Sequence, residues 1–360
     1  MKKIIIWLLV VGLLVGFLAP LFTKDELTDA VAPSTFGFKE NLATSYGQTI
    51  ALPIISTDQS ASFKLSIDDS VVLEVNSPKA KEIYFLNTKN WKPGAYLFNL
   101  ETKDKDGQAY SEQRNLRILS DLKPERWSVS SVKTYPHNTQ YYTQGLTFLE
   151  GQLYESTGDP NQDGSSLVAQ MNLTTGQPIN NGTKPAKVGL DASKFGEGIT
   201  ILNGELFQLT WKNQQCFVYD AKSLALKKEF AYVGEGWGLC TDGQELIMSD
   251  GTERITFRDP KTFEITRTIE AYTNEGPVPQ LNELEFIEGY IYANIYSTNY
   301  IAVIEPVLGR VIALIDASKI VNEGRGNGEV LNGIAWEAKS KKLYLTGKYW
   351  PKLLEVKIQK

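Results

Sequence analysis

"EGITILNGELFQLT", residues 197–210, decides the fold. Three apolar residues, Ile199, Ile201 and Leu202, are interspersed with small or polar ones up to Asn203-Gly204, and a second, mostly apolar run, Leu206–Leu209, follows. Two short β-runs joined by Asn-Gly read as a tight hairpin. The same design recurs in "QGLTFLEGQLYEST" (144–157), "WGLCTDGQELIMSD" (237–250), "NELEFIEGYIYANI" (282–295) and "NGIAWEAKSKKLYLTG" (332–347). The turn glycines fall at Gly151, Gly204, Gly243 and Gly289, and the fifth copy turns at "AKSK". Outer hairpins follow, with turns at "DAKS", "DPKT" and "EPVLG". Four strands in about 45 residues is the period of a propeller blade. Five copies predict an all-β fold, a five-bladed β-propeller over residues 125–360.

In such a ring the innermost strands line a central channel, and the segments that open them meet at one end. These segments carry Tyr142 and Gln144, Phe195 and Glu197, Trp237, Asn282 with Glu283, and Asn332. The second strands end at Trp211, Tyr296 and Lys348. A purely structural repeat is expected to put small or apolar residues there, although polar residues also line such channels without chemistry. Glu197 stands between two glycines in "FGEGIT"; they remove side chains and permit a bend that aims the carboxylate inward.

Composition narrows the rest. The 360-residue chain has a formal net charge of −5, so no basic excess is available for a nucleic-acid partner. Two cysteines and one histidine exclude the usual Cys/His zinc cluster and disfavour a Ser-His-Asp or Cys-His enzyme. His137, in the turn-like "TYPHNTQ", reads as an exposed loop residue. Cys216 and Cys240 are equally compatible with a disulfide and with two free buried thiols. At the N-terminus Lys2 and Lys3 precede an uncharged run from Ile4 to Phe22, long enough to span a bilayer. Residues 1–23 read as an uncleaved anchor, or else a cleaved signal, and residues 24–33 as a tether. The body is then exported, held on the membrane facing the periplasm or the outside, or released there if the segment is cleaved. Short β-runs and the "KDKDG" turn over residues 34–122 predict a small immunoglobulin-like β-domain with no catalytic constellation.

In combination, "YTQGL", "YESTG", "FGEGIT", "LTWK", "GEGWGL", "LNELE", "YANIY", "LNGIAW" and "LYLTGKYWPKLLEV" resemble the plant-type glutaminyl-peptide cyclotransferases. The resemblance covers residues 128–358 and neither the anchor nor the first β-domain. It implies a five-bladed propeller that converts N-terminal glutaminyl residues of peptides or proteins to pyroglutamate and releases ammonia, with neither metal nor other cofactor. Carried over by motif, Glu197, Lys348, Asn282 and Gln144 would be catalytic, and Tyr142, Phe195, Trp211, Trp237 and Tyr296 would bind substrate. Tyr142 stands where phenylalanine is common in the family and Tyr296 where tryptophan is; both keep a ring.

The implied chemistry is attack of the substrate α-amine, pKa roughly 8, on its own γ-carboxamide carbon. One group that takes the amine proton and gives it to the departing nitrogen would suffice, and Glu197 is the candidate. Aromatic walls would raise its pKa, whereas a pairing with Lys348 would lower it. Asn282, Gln144 or Lys348 could donate to the developing oxyanion. Two other readings compete. One is a non-catalytic envelope binding propeller. The other is a calcium-dependent lactonase-like propeller, with Glu155, Glu197, Asn282 and Asn332 as ligands.

Overall fold

The computed structural model describes residues 32–180 and 186–360. The expected anchor, residues 1–23, and nearly all of the tether lie outside the described residues. The fold is all-β; among the described residues the helical elements are a 3-10 turn, Thr88–Asn90, and one seven-residue helix, α1 (Ser318–Gly324).

The chain forms two compact units. Among the described residues, the first holds those up to Leu42 together with Thr49–Asn87 and Tyr96–Leu116. One sheet orders β1 (Ser34–Phe36), β3 (Thr49–Ser56) and β6 (Lys81–Asn87). The other orders β2 (Leu42–Ser45), β8 (Ala109–Leu119), β7 (Gly94–Asp104), β4 (Ser60–Ile67) and β5 (Ser70–Asn76). The two sheets meet through apolar side chains: the Phe36 ring lies 6.2 Å from that of Phe98, and Phe63 meets Tyr84 edge-on at 5.5 Å. Leu52, Ile54, Leu65 and Leu100 are buried beside them.

The second unit, chiefly Arg117–Lys360, is built from antiparallel four-stranded meanders. It opens with β9 (Glu125–Pro136). The first meander is β10 (Tyr142–Leu149), β11 (Gln152–Gly158), β12 (Leu167–Asn172) and β13 (Gln177–Pro178), with β14 (Lys187–Gly189) also on β12. The second is β15 (Gly196–Leu202), β16 (Glu205–Thr210), β17 (Gln215–Asp220) and β18 (Leu226–Ala231). The third is β19 (Leu239–Thr241), β20 (Leu246–Ser249), β21 (Arg254–Arg258) and β22 (Ile265–Glu270). The fourth is β23 (Leu281–Ile287), β24 (Tyr290–Ile295), β25 (Tyr300–Ile304) and β26 (Val311–Asp316). The fifth has β27 (Leu331–Glu337), β28 (Lys342–Gly347) and β29 (Lys352–Gln359), and β9 supplies its outer strand by pairing along β29. The earliest strand of the unit thus completes its last sheet, and β9 also runs parallel to β26.

Turn chemistry explains the hairpins. Glu150-Gly151, Asn203-Gly204 and Glu288-Gly289 have both residues at positive φ, the tight turn that suits strand twist. In the outer hairpins Asp220 and Asp259 each accept two backbone N–H groups of the turn that follows.

The first strands of the five meanders contact one another in order, and β27 returns to β10. An apolar core fills each junction. Tyr154 and Val168 of the first meander meet Ile199, Leu206 and Phe217 of the second, and Leu146 and Leu153 meet Ala335, Tyr344 and Leu353 of the fifth. Cys216 and Cys240 are both free and buried, and they lie in different junctions. His137 corrects an expectation: it is buried. Its Nδ1 lies 2.7 Å from the Trp350 carbonyl oxygen and its Nε2 3.0 Å from Glu155 Oε1. The loop that looked exposed is tied down by the fifth meander.

Candidate active site

The register of the first strands places the site. The β10–β11 ladder shifts between Thr143 and Gly145, leaving Gln144 unpaired. The β15–β16 ladder shifts between Gly196 and Ile199, around Glu197-Gly198. The fourth shifts around Asn282-Glu283 and the fifth around Asn332-Gly333. Trp237-Gly238 stands just before β19 at the equivalent point. Such bulges bend a strand and re-aim side chains. The first residue of each step is Gln144, Glu197, Trp237, Asn282 or Asn332; the second is glycine in all but the fourth.

Those glycines serve close approach. Neither Gly196 nor Gly198 has a left-handed backbone. A Cβ on Gly198 would come within 2.5 Å of Leu239 N, and one on Gly145 within 2.5 Å of Ile199 N. The backbones of neighbouring first strands touch there, and no side chain fits.

All nine candidate residues line one pocket of about 320 Å³: Tyr142, Gln144, Phe195, Glu197, Trp211, Trp237, Asn282, Tyr296 and Lys348. Trp211, Tyr296 and Lys348 each stand one residue beyond a second strand. Asp159, Pro160 and Gln162 also line the pocket and were missed in the sequence. The signal was available: Asp159 follows β11 as Trp211 follows β16. Burial would raise the Asp159 pKa, but the N–H groups of Asp163, Gly164 and Ser165 and the Ser165 hydroxyl outweigh it and hold it low.

The walls are half-buried rings. Phe195 packs edge-on against Trp211 at 5.6 Å and against Tyr142 at 6.0 Å, and Trp237 meets Tyr296 at 5.6 Å. One oxygen of Glu235 accepts both indole N–H groups, from Trp211 at 2.7 Å and from Trp237 at 2.9 Å. Glu235, in "GEGWG", was not singled out in the sequence; it braces both tryptophans.

At the floor, Asn332 Nδ2 donates to Gln144 Oε1 at 3.1 Å, which orients that amide. Gln144 Nε2 then donates to Glu197 Oε1 at 3.0 Å. Glu197 is 4 % exposed. Burial lifts its pKa well above the carboxylate range, the Lys348 charge opposes this, and the Glu235 charge adds to it. Among the described residues Glu197 and Lys348 form no ion pair. The Lys348 ammonium instead lies 4.3 Å from the ring centre of Tyr142 and 5.0 Å from that of Tyr296. Burial lowers the Lys348 pKa to about 8, against the pull of Glu197 and Glu329. Asn282 is buried, and its Oδ1 has no hydrogen-bond partner in the protein. An unpaired buried amide oxygen is costly, and a pocket that keeps one is suited to a ligand that donates a hydrogen bond.

Among the described residues no three acidic, histidine or cysteine side chains cluster as a cation site. Of the residues grouped for calcium, Glu155 accepts from Thr143 and contacts His137 through Oε1, and Asn332 Nδ2 donates to Gln144 and to the Thr143 carbonyl. Glu283, grouped with the central residues, turns away from the pocket. Its two oxygens accept the backbone N–H groups of Leu146 at 3.1 Å and Ile334 at 2.8 Å, linking the first and fifth meanders.

A curated relative, the glutaminyl-peptide cyclotransferase of Arabidopsis thaliana, is 36% identical over 245 residues, covering 66% of this chain and 74% of its own length. The crystal structure of Myxococcus xanthus glutaminyl cyclase superposes with a TM-score of 0.60 at 34% identity, covering 66% of this chain and 99% of its own. The glutamine cyclotransferase family profile matches residues 107–358. The chain belongs to the glutamine cyclotransferase family.

Proposed function

We propose that the protein is a glutaminyl-peptide cyclotransferase that closes N-terminal glutamine to pyroglutamate and expels ammonia. The observation that carries this reading is a buried carboxyl of raised pKa in a ring-walled pocket, beside an amide oxygen with no partner. We read the second unit as a five-bladed β-propeller over residues 125–360, supported by the five junction cores and the return of β27 to β10. The first, over residues 34–122, we read as an immunoglobulin-like domain, supported by its two apposed sheets. The uncharged run Ile4–Phe22 supports export, with residues 1–23 as anchor or signal. Fractionation that recovers the chain in the cytosol would contradict export.

The α-nitrogen forms a bond to the γ-carboxamide carbon, and the bond from that carbon to the amide nitrogen breaks. Glu197, ionised when the amine enters, takes a proton from the attacking nitrogen and delivers it to the departing one, so ammonia leaves neutral. Gln144, fixed by Asn332, holds the carboxylate in place. The γ-oxygen gains negative charge in the transition state. The Lys348 ammonium opposes that charge, and the unpaired Asn282 Oδ1 is placed to accept from an N–H of the substrate. The rings exclude water and hold the glutamine side chain folded back on its own amine.

The test is ammonia release by the purified chain from a glutaminyl peptide, beside the same peptide with an acetylated N-terminus. Ammonia is expected from the free amine alone. Release from neither peptide, or equally from both, would contradict cyclisation.

A further inference from the structure

Tyr349 follows Lys348 directly and has a left-handed backbone, φ 61°. A tyrosine held there carries strain, roughly 1–3 kcal/mol. Its N–H donates to the Tyr141 carbonyl at 2.8 Å, and its ring meets Tyr142 edge-on at 5.2 Å. Tyr142 lines the glutamine pocket, whereas Tyr349 lines a second hollow of about 590 Å³ with Thr139, Gly326, Asn327 and Pro351. The Tyr142–Tyr349 pair is therefore a wall common to both.

The second hollow is built from braced loops. Glu329 N–H donates to the Lys348 carbonyl at 2.7 Å, and the Trp350 indole donates to the Glu329 carbonyl at 3.0 Å. Gly326 is left-handed, and a Cβ there would meet the Pro351 ring at 2.9 Å. Glu329, Asp163 and Asp159 all bear electrostatically on the Tyr349 hydroxyl, so the charge on the Tyr349 side of the wall, which faces the second hollow, is negative, while the Lys348 ammonium lies against the Tyr142 ring on the other side.

A peptide whose first residue is curled in the first pocket must send its second residue out past the rim. We propose that the second hollow is the subsite for the residue that follows glutamine, and that it favours a basic side chain over an acidic one. This rests on the cyclotransferase reading. Asn327 and Thr139 supply polar contacts for the peptide backbone, and the Tyr349 ring supplies a face for the side chain.

Rates are compared for glutamine amide and for glutaminyl tripeptide amides with Lys, Ala or Glu second. In the unaltered protein kcat/KM is expected to fall from Lys to Ala to Glu. The span is about fivefold at low ionic strength and smaller in high salt, as expected of partly exposed charges. Filling the hollow by Thr139→Trp, or independently by Asn327→Trp, is expected to lower the tripeptide-to-glutamine-amide ratio about tenfold. Equal rates for the three tripeptides in the unaltered protein overturn the subsite while leaving cyclisation in place. An unmoved ratio in folded variants does the same. No turnover of any of the four compounds overturns both.

Discussion

Glu197 and Glu283 are both buried, both lie in the bulge of a first strand, and both have a pKa lifted well above the carboxylate range. Their surroundings differ by one step of register. Glu197 is the first residue of its bulge and faces the pocket, where one side-chain amide donates to it. Glu283 is the second residue of its bulge, where the other meanders have glycine, and two backbone N–H groups bind it. A carboxyl whose oxygens are taken up by fixed donors joins strands together. One left with a free oxygen beside a cavity is available for proton transfer. Burial raises both pKa values, so the shift alone does not separate chemistry from structure; the partners do.

The largest expected effect falls on the pocket glutamate. Glu197→Gln should lower kcat/KM for a glutaminyl peptide about 10²–10⁴-fold, the usual worth of a positioned proton-transfer group. The same change should raise stability at high pH. The folded-state pKa of Glu197 is raised, so its ionisation costs the folded protein stability as pH rises above the unfolded value near 4.3. Melting curves of parent and variant should coincide in acid and separate above it, the variant melting higher. Glu283→Ala should instead lose stability already in acid, the loss narrowing as pH rises because its folded-state pKa is raised too. It strands two buried N–H groups at about 1–3 kcal/mol each, so the melting temperature drops while kcat of the folded protein changes little. Equal losses of activity in both variants would erase the distinction.

Smaller effects come from carboxylates that act through neighbours. Glu235→Ala frees both indoles and should lower kcat/KM about tenfold, mostly through KM, with a shift in tryptophan fluorescence. Glu235→Gln keeps an acceptor and should retain most activity. The smallest effect concerns His137 and Glu155. Burial pulls the His137 pKa down, but the Glu155 charge and hydrogen bond and the Trp350 carbonyl outweigh it, so the folded value is raised. Its contribution to stability is therefore full below about pH 6.5 and lost as pH rises through the folded pKa. His137→Gln should remove that slope from a plot of melting temperature against pH.

Much of the candidate site was legible because the repeat writes it twice. Aligning the five hairpins sets Gln144, Glu197, Trp237, Asn282 and Asn332 in one column, and Trp211, Tyr296 and Lys348 in another. Asp159 stands in the second column and was passed over because no ring or amide marked it. Strand β9 was not legible as part of the last sheet, since its partner β29 is more than two hundred residues away and pairing at that distance leaves no local pattern. The burial of His137 was hidden for the same reason: a turn-like stretch gives no sign that a distant loop will cover it. The bracing role of Glu235 needed coordinates, because an acid between glycines reads as a solvated turn until two indoles are seen to converge on it.

The most direct test follows the Glu197 proton itself. The carboxyl can be titrated in the free protein by carbon NMR with labelled glutamate, assigned by its loss in Glu197→Gln, and compared with the acid limb of kcat/KM after division by the neutral fraction of the substrate amine. Both should give one pKa, well above the ordinary carboxylate range, with an alkaline limb near 8 set by Lys348. A Glu197 that titrates in the ordinary range, or an acid limb that does not coincide with it, would contradict the shuttle.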